Sequence, residues 1–220
     1  MGMWWLDTAD WARLAGALLA AALLALAVPR SLRQLDAHPA LAPVAAVTAM
    51  VLPLLWRARA GGLHDIDLHL LGVALATLML GPWLAVAAVA LACVFTTLWQ
   101  SALWVNLGLN ILLLALPVLT TQAMLRATQR WLPSNIFVFN LGVGMVGVFA
   151  ASAAAVLLQA AVWAALAPAA TARRVDEALP FALLLMWGEG LTSGLLVSVL
   201  TAYRPQWIVA FDDARYLRPP

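Results

Sequence analysis

The chain has 220 residues, 65% hydrophobic and 10% charged, with a mean hydropathy of +0.95. A soluble domain carries roughly 25% charged residues, so this chain cannot cover a water-facing surface and must meet lipid. Its formal charge of +2, from twelve arginines and no lysine against ten acids, is too small and too scattered among loops for a nucleic-acid binder.

The apolar runs are 12–29, 40–56, 66–80, 83–99, 103–125, 136–166 and 179–202. A helix needs about 20 apolar residues to cross the membrane core. No alternating barrel pattern is present, and backbone in lipid must satisfy its own polar groups. The expectation is an all-α polytopic membrane helix bundle of about six to seven transmembrane helices, in a single domain over residues 1–220.

The leader "MGMWWLDTADWARLAG" carries Asp7, Asp10 and only Arg13 before the first run. A signal peptide wants a positive leading region, so the first helix is expected to be retained, although "LALAVPR" would serve as a cleavage site. Ala17, Ala21 and Ala25 give this helix a smooth strip suited to packing within the chain or to docking of another membrane subunit. His38, before a proline, reads as a solvated loop residue.

The stretch "GLHDIDLHLLG" (62–72) opens the third span with His64, Asp65, Asp67 and His69. Asp65 and His69 are four apart and share a helical face. Imidazole and carboxylate at that spacing can reach one divalent cation, and imidazole suits nickel, cobalt, copper and zinc alike. His64 and Asp67 read as membrane-surface residues; His69, about one turn deeper, reads equally well as a ligand or as a surface marker. Gly81-Pro82 then forms a turn between two short spans. Cys93, in "VALACVFTT", is the one cysteine. It excludes an internal disulfide and a Cys-based zinc site, and reads as a small packing residue.

Asn106 and Asn110 lie four apart near the head of the fifth span, placed either to bond across helices or to line a site. Asn140, Gly144, Gly147 and Ala151 fall on one helical face, a packing pattern. The last span holds Glu189 between Gly188 and Gly190, with Thr192 and Ser193 one turn on. A buried carboxylate needs a cation, an arginine or hydrogen-bond donors. No arginine lies at comparable depth, and the two glycines would let a helix or a water approach.

Seven spans put the termini on opposite sides. Arg30, Arg33, Arg126, Arg130, Arg204, Arg215 and Arg218 collect on one side and Arg13, Arg57, Arg59, Arg173 and Arg174 on the other. By the positive-inside rule the first set is cytoplasmic, with the N-terminus outside and the C-terminus inside. Trp4, Trp5, Trp11, Trp56, Trp131 and Trp207 are placed where interfacial belts belong.

Catalysis has little support. "LTSGLL" resembles the glycine-serine signature of intramembrane serine proteases, but no histidine follows Ser193 to activate it. No phosphate-binding loop and no H-E-x-x-H pair is present.

Three stretches, in order, carry a family likeness: "HLLGVALATLMLGPWLAVAAVAL" (69–91), "GLNILLLAL" (108–116) and "GEGLTSGLLVSVL" (188–200). They resemble the histidine-led helix, glycine-x-asparagine segment and terminal Gly-Glu helix of the substrate-capture membrane subunits of energy-coupling-factor transporters for cobalt and nickel, the CbiM/NikM type. The similarity covers about residues 60–200. The ending "YRPQWIVAFDDARYL" is similar to a divergent bacterial branch of that superfamily. The resemblance implies a multi-pass permease subunit of the bacterial cytoplasmic membrane, without ATPase activity, working with a transmembrane coupling protein and paired cytoplasmic ABC ATPases. It implies no permanent cofactor, and cobalt or nickel as the transported ion.

Carried over by position, His69 would ligate the metal, Asn110 would lie at the site and Glu189 would be the buried acid; with Asp65 they make the candidate metal set. The chain departs from the family at Gly2, where a histidine is usual, at Leu113 for a second asparagine, and near Ala182 for a histidine. With those ligands gone, a square-planar nickel site like the family's cannot assemble. The readings carried forward are transition-metal uptake; uptake of a corrinoid or other organic ligand with Cys93 or His69 as axial group; and a membrane assembly protein that moves nothing.

Overall fold

The computed structural model describes residues 9–58, 69–166 and 169–217, all helices and connections. Helices α1 (Asp10–Ala37), α2 (Leu41–Arg57), α3 (Val73–Leu80), α4 (Pro82–Trp99) and α5 (Leu107–Trp131) come first. A π-helical stretch, Val138–Gly147, leads into α6 (Val148–Leu166), followed by α7 (Ala169–Tyr203) and the short α8 (Asp213–Tyr216). Among the described residues five helices are long and apolar enough to cross a membrane, and α2, at 17 residues, is a shorter apolar helix. The chain is a multi-pass membrane helix bundle.

Two pairs of groups mark opposite ends of the bundle. Arg57 lies over the Trp99 ring at one end, where α2 and α4 finish. Arg30 lies over Trp83 at the other, beside the α4 start. There, cations stacked on indoles keep their charge in water and their apolar surface against the bundle. At the first end α1 and α5 touch closely: a Cβ on Gly108 would fall 2.6 Å from the Ala17 Cα, and one on Gly16 would fall 2.7 Å from Leu109. The Ala17, Ala21 and Ala25 side chains themselves face outward. His38 is exposed in the turn between α1 and α2, as expected.

The expected third span differs most from the structure. Of its described residues, 69–80, only Val73–Leu80 is helical. Eight residues rise about 12 Å, less than half of a ~30 Å hydrocarbon core. Gly72, at φ +68°, sets the start. Such a backbone suits glycine, and a Cβ there would also press on Leu52 and Leu55 of α2 at 3.0 Å. Gly81, at φ +74°, ends the helix, and Pro82 starts α4 without needing the N–H it lacks. The glycine-proline turn is thus as expected, but it joins α4 to half a helix.

Small residues let α7 approach α6 and the π stretch. A Cβ on Gly194 would meet Met145 Cβ at 2.6 Å, one on Gly190 would meet Phe149 Cβ at 2.8 Å, and one on Gly144 would meet Val197 at 3.0 Å. Thr201 donates to Asn140 Oδ1 across the same contact at 3.1 Å. The packing role expected of Asn140 and Gly144 is therefore realised. The regular α-helical face expected over 140–151 is not, because the π turns shift its register.

In α5, Pro117 has no N–H to give Leu113, four residues back. The Gln159 side chain, fully buried on α6, donates to the Leu113 carbonyl at 2.8 Å instead. Replacing Gln159 with leucine should lower stability by about 1 kcal/mol, the scale for such bonds between membrane helices. Thermal unfolding in detergent checks this; a Tm equal to wild type would mean that the amide does not hold α5.

Candidate functional site

Glu189 sits near the middle of α7 and is 2% exposed. Its Oε2 accepts the Leu71 N–H at 2.7 Å, and its Oε1 accepts the Gly72 N–H at 3.2 Å and the Ser152 hydroxyl at 3.0 Å. The first turn of a helix leaves N–H groups without intrahelical partners, and carboxylates are favoured at that positive end. The companion of the buried acid is thus the entry to α3, with a hydroxyl from α6. The acid stands within the chemistry that the sequence demanded of it, hydrogen-bond donors rather than an arginine.

The other polar group of Leu71 is held from the opposite side. Its carbonyl accepts the Trp56 indole N–H at 2.9 Å. Trp56, expected in an interfacial belt, is instead 1% exposed inside the bundle. Its ring has turned inward because a discontinuous strand of backbone offered an acceptor that no lipid can replace. Trp11 and Trp131 are broadly exposed, as belt residues are, and Arg204 lies over the Trp207 ring at the surface.

His69 belongs to the same pinned segment. It is 5% exposed, and its ring lies 6.2 Å from that of Trp56 at 45°. Its Nδ1 is 3.1 Å from the Leu70 carbonyl. A carbonyl only accepts, so the contact is a hydrogen bond when Nδ1 carries the proton, the tautomer in which Nε2 keeps its lone pair. That is how ligating histidines are oriented.

Of the other expected site residues, Asn110 is fully buried on α5 with Asn106, also fully buried, just ahead of that helix. Helix α5 packs against α3 and α1. Asp65, with His64 and Asp67, lies outside the described residues. Cys93 is buried in the main hydrophobic cluster, a packing residue as expected. Among the described residues no three His, Cys, Asp or Glu side chains gather into a metal-holding group. Beside Glu189 and Gly72, a groove of about 300 Å³ lies between α2, α3 and α7, walled by Val47, Leu75, Thr192 and Leu196. Gly190 is pressed against α6 as anticipated, whereas a Cβ on Gly188 would meet nothing within 4 Å.

Sequence reasoning missed Ser152, Trp56 and Gln159. Ser152 directly follows Ala151 of the packing pattern, and Gln159 is an amide within the alanine-rich helix "AASAAAVLLQAAVWAAL". A rule that every polar side chain inside a span needs a partner would have singled out both.

The family model described as cobalt uptake substrate-specific transmembrane region, CbiM, matches residues 8–207. The chain belongs to the CbiM family. The match begins well before the three stretches that carried the likeness in sequence and takes in α1. No curated protein gives a significant match. Among solved structures, one described as a truncated transition metal transporter resembles this CbiM-family chain with a TM-score of 0.66 at 16% identity, over 91% of this chain and 97% of that one. At that identity the likeness bears on the fold alone.

Glu189→Gln should destabilise the protein by about 1–3 kcal/mol, because an amide brings an N–H₂ toward donors it cannot accept from. Ser152→Ala, which removes one of the three donors, should have the smaller effect. Chemical or thermal unfolding of the two variants tests the order, and the reverse order would sink the assignment of Glu189 as the anchor of the α3 entry.

Proposed function

We propose that this chain is the substrate-capture membrane subunit of an energy-coupling-factor, ABC-type transporter that takes up a transition metal ion, cobalt or nickel. It lies in the bacterial cytoplasmic membrane with its N-terminus outside. A transmembrane coupling protein and cytoplasmic ABC ATPases supply the energy, and the chain itself performs no catalysis. The metal is cargo, and no permanent cofactor is required.

The observation that carries this reading is a buried imidazole on a backbone segment fixed from two sides. His69 presents Nε2 from the segment that Glu189 and Trp56 hold through Leu71. Membership of a cobalt-uptake family and the fold likeness to a transition metal transporter point to the same class of cargo. Asn110, and Asp65 beyond the described residues, are the further candidate ligands. Glu189 serves as the positioning group and balances positive charge near the site. The corrinoid alternative loses one of its two axial groups, since Cys93 is fully buried in the apolar core.

Isothermal titration of the protein in lipid nanodiscs with Ni²⁺ and Co²⁺ tests the reading. His69→Ala should abolish binding, a loss beyond the roughly 10–100-fold that removing an outer-shell partner causes. Glu189→Gln should fall within that range. Full retention of metal affinity in His69→Ala rejects the assignment.

A further inference from the structure

The far end of α3 is held as deliberately as its head. After α7, residues 204–217 turn back beneath the bundle as a strap. The Ala210 N–H donates to the Leu78 carbonyl at 3.0 Å and the Val209 N–H to the Met79 carbonyl at 3.1 Å. The Gln34 side chain takes the next carbonyl, Leu80, at 2.7 Å. Two of these three carbonyls are therefore satisfied by backbone 130 and 132 residues away in sequence. The donors are the N–H groups of two consecutive turn residues, which cap the end of the helix from outside it.

The strap is itself anchored. Ile208 and Tyr216 are buried at 1% and 4% exposure. Tyr216 and Phe211 stack at 10°, and both rings meet Phe139, at 4.8 and 4.9 Å. Arg215 donates to the Gln129 carbonyl at 2.6 Å, near the end of α5. These side chains form a second hydrophobic cluster, apart from the main core, and Ala74 and Leu78 of α3 belong to it. Ala74 lies two residues from Gly72, whose N–H is on Glu189. The strap and the His69 segment thus grip opposite ends of one rod about 12 Å long.

We propose that the strap positions the His69–Gly72 segment through α3, with Ile208 and Tyr216 as the positioning residues. Letting go of the strap frees two carbonyls and the face formed by Ala74 and Leu78. The helix can then tilt or fray, and the backbone N–H groups on Glu189 move with it. A contact made at the strap end of the bundle is in this way read at the site. The bearing of this link on metal capture rests on the proposed function; the link itself does not.

Hydrogen–deuterium exchange of the intact chain in nanodiscs, without added metal, tests it. In Tyr216→Ala, peptides over 70–80 should exchange about tenfold faster, the scale of one or two lost hydrogen bonds, while α4 keeps its wild-type rate. Tyr216→Phe keeps the ring and should behave as wild type. Val209→Pro removes the N–H given to Met79 without touching the ring cluster, and should also speed exchange over 70–80. It decides the matter if Tyr216→Ala loosens the whole bundle. Wild-type rates over 70–80 in both Tyr216→Ala and Val209→Pro overturn the proposal, whatever the strap does. A chain that fails to bind nickel or cobalt leaves the link standing, and a metal-binding chain with uncoupled ends loses only the link.

Discussion

Between Leu70 and Gly81 the chain enters and leaves an eight-residue helix inside a membrane bundle, and each end exposes backbone groups that hydrocarbon cannot satisfy. An unpaired group there costs several kcal/mol, more than the few tenths that helix propensity could return per residue. Such a break persists only if other elements supply partners. Glu189 takes two N–H groups at the head, Trp56 takes the Leu71 carbonyl, and Gln34 with the strap takes the carbonyls at the foot. Remove the acid, and the discontinuity that carries the buried His69 has no reason to form.

A carboxylate is the side chain suited to this place. It accepts several hydrogen bonds without bringing a donor of its own. Glutamine would accept through one oxygen and turn an N–H₂ toward a neighbouring N–H. A hydroxyl would reach one donor. The glycine at 190 matters for the same reason: with Phe149 and Met145 so close, any side chain there would push α6, and Ser152 with it, away from the acid. The acid is thus explained first by folding. Its charge is available to a cation only as a field, since both oxygens already face donors. In the proposed metal site, direct ligation is then the part of His69 rather than of Glu189.

Much of this was legible in the sequence, and the gaps have physical causes. Apolar runs marked the helices, because a span must be long and uniform to cross lipid. Gly81-Pro82 marked a turn, because both residues constrain the backbone. The start of α3 was misplaced because hydrophobicity cannot distinguish a helix from extended backbone when both are buried. Only Gly72, one glycine among thirteen, hinted at the positive φ. The position of Trp56 at a span end fits a belt, and the acceptor that draws it inward is created only by folding. The acid at 189 was recognised as needing a companion, but its partners are backbone atoms, which a sequence of side chains does not display.

The departures from the family pattern now separate into two kinds. Leu113 and Ala182, where the resemblance leads one to expect an asparagine and a histidine, are buried and apolar. At Leu113 the polar demand of the broken ladder before Pro117 is met from α6 by Gln159, so the fold at that level needs no amide on α5. The groups that secure the half-helix, Glu189, Ser152, Trp56, Gln34 and the strap backbone, are all present and engaged. Scaffold and ligand set are therefore written in different residues. A chain can lose most of the second while keeping the first intact, because the hydrogen bonds of a broken helix answer to the surrounding hydrocarbon and not to the cargo. The scaffold residues thus account for the fold, and the choice of cargo proposed for His69 is a separate matter.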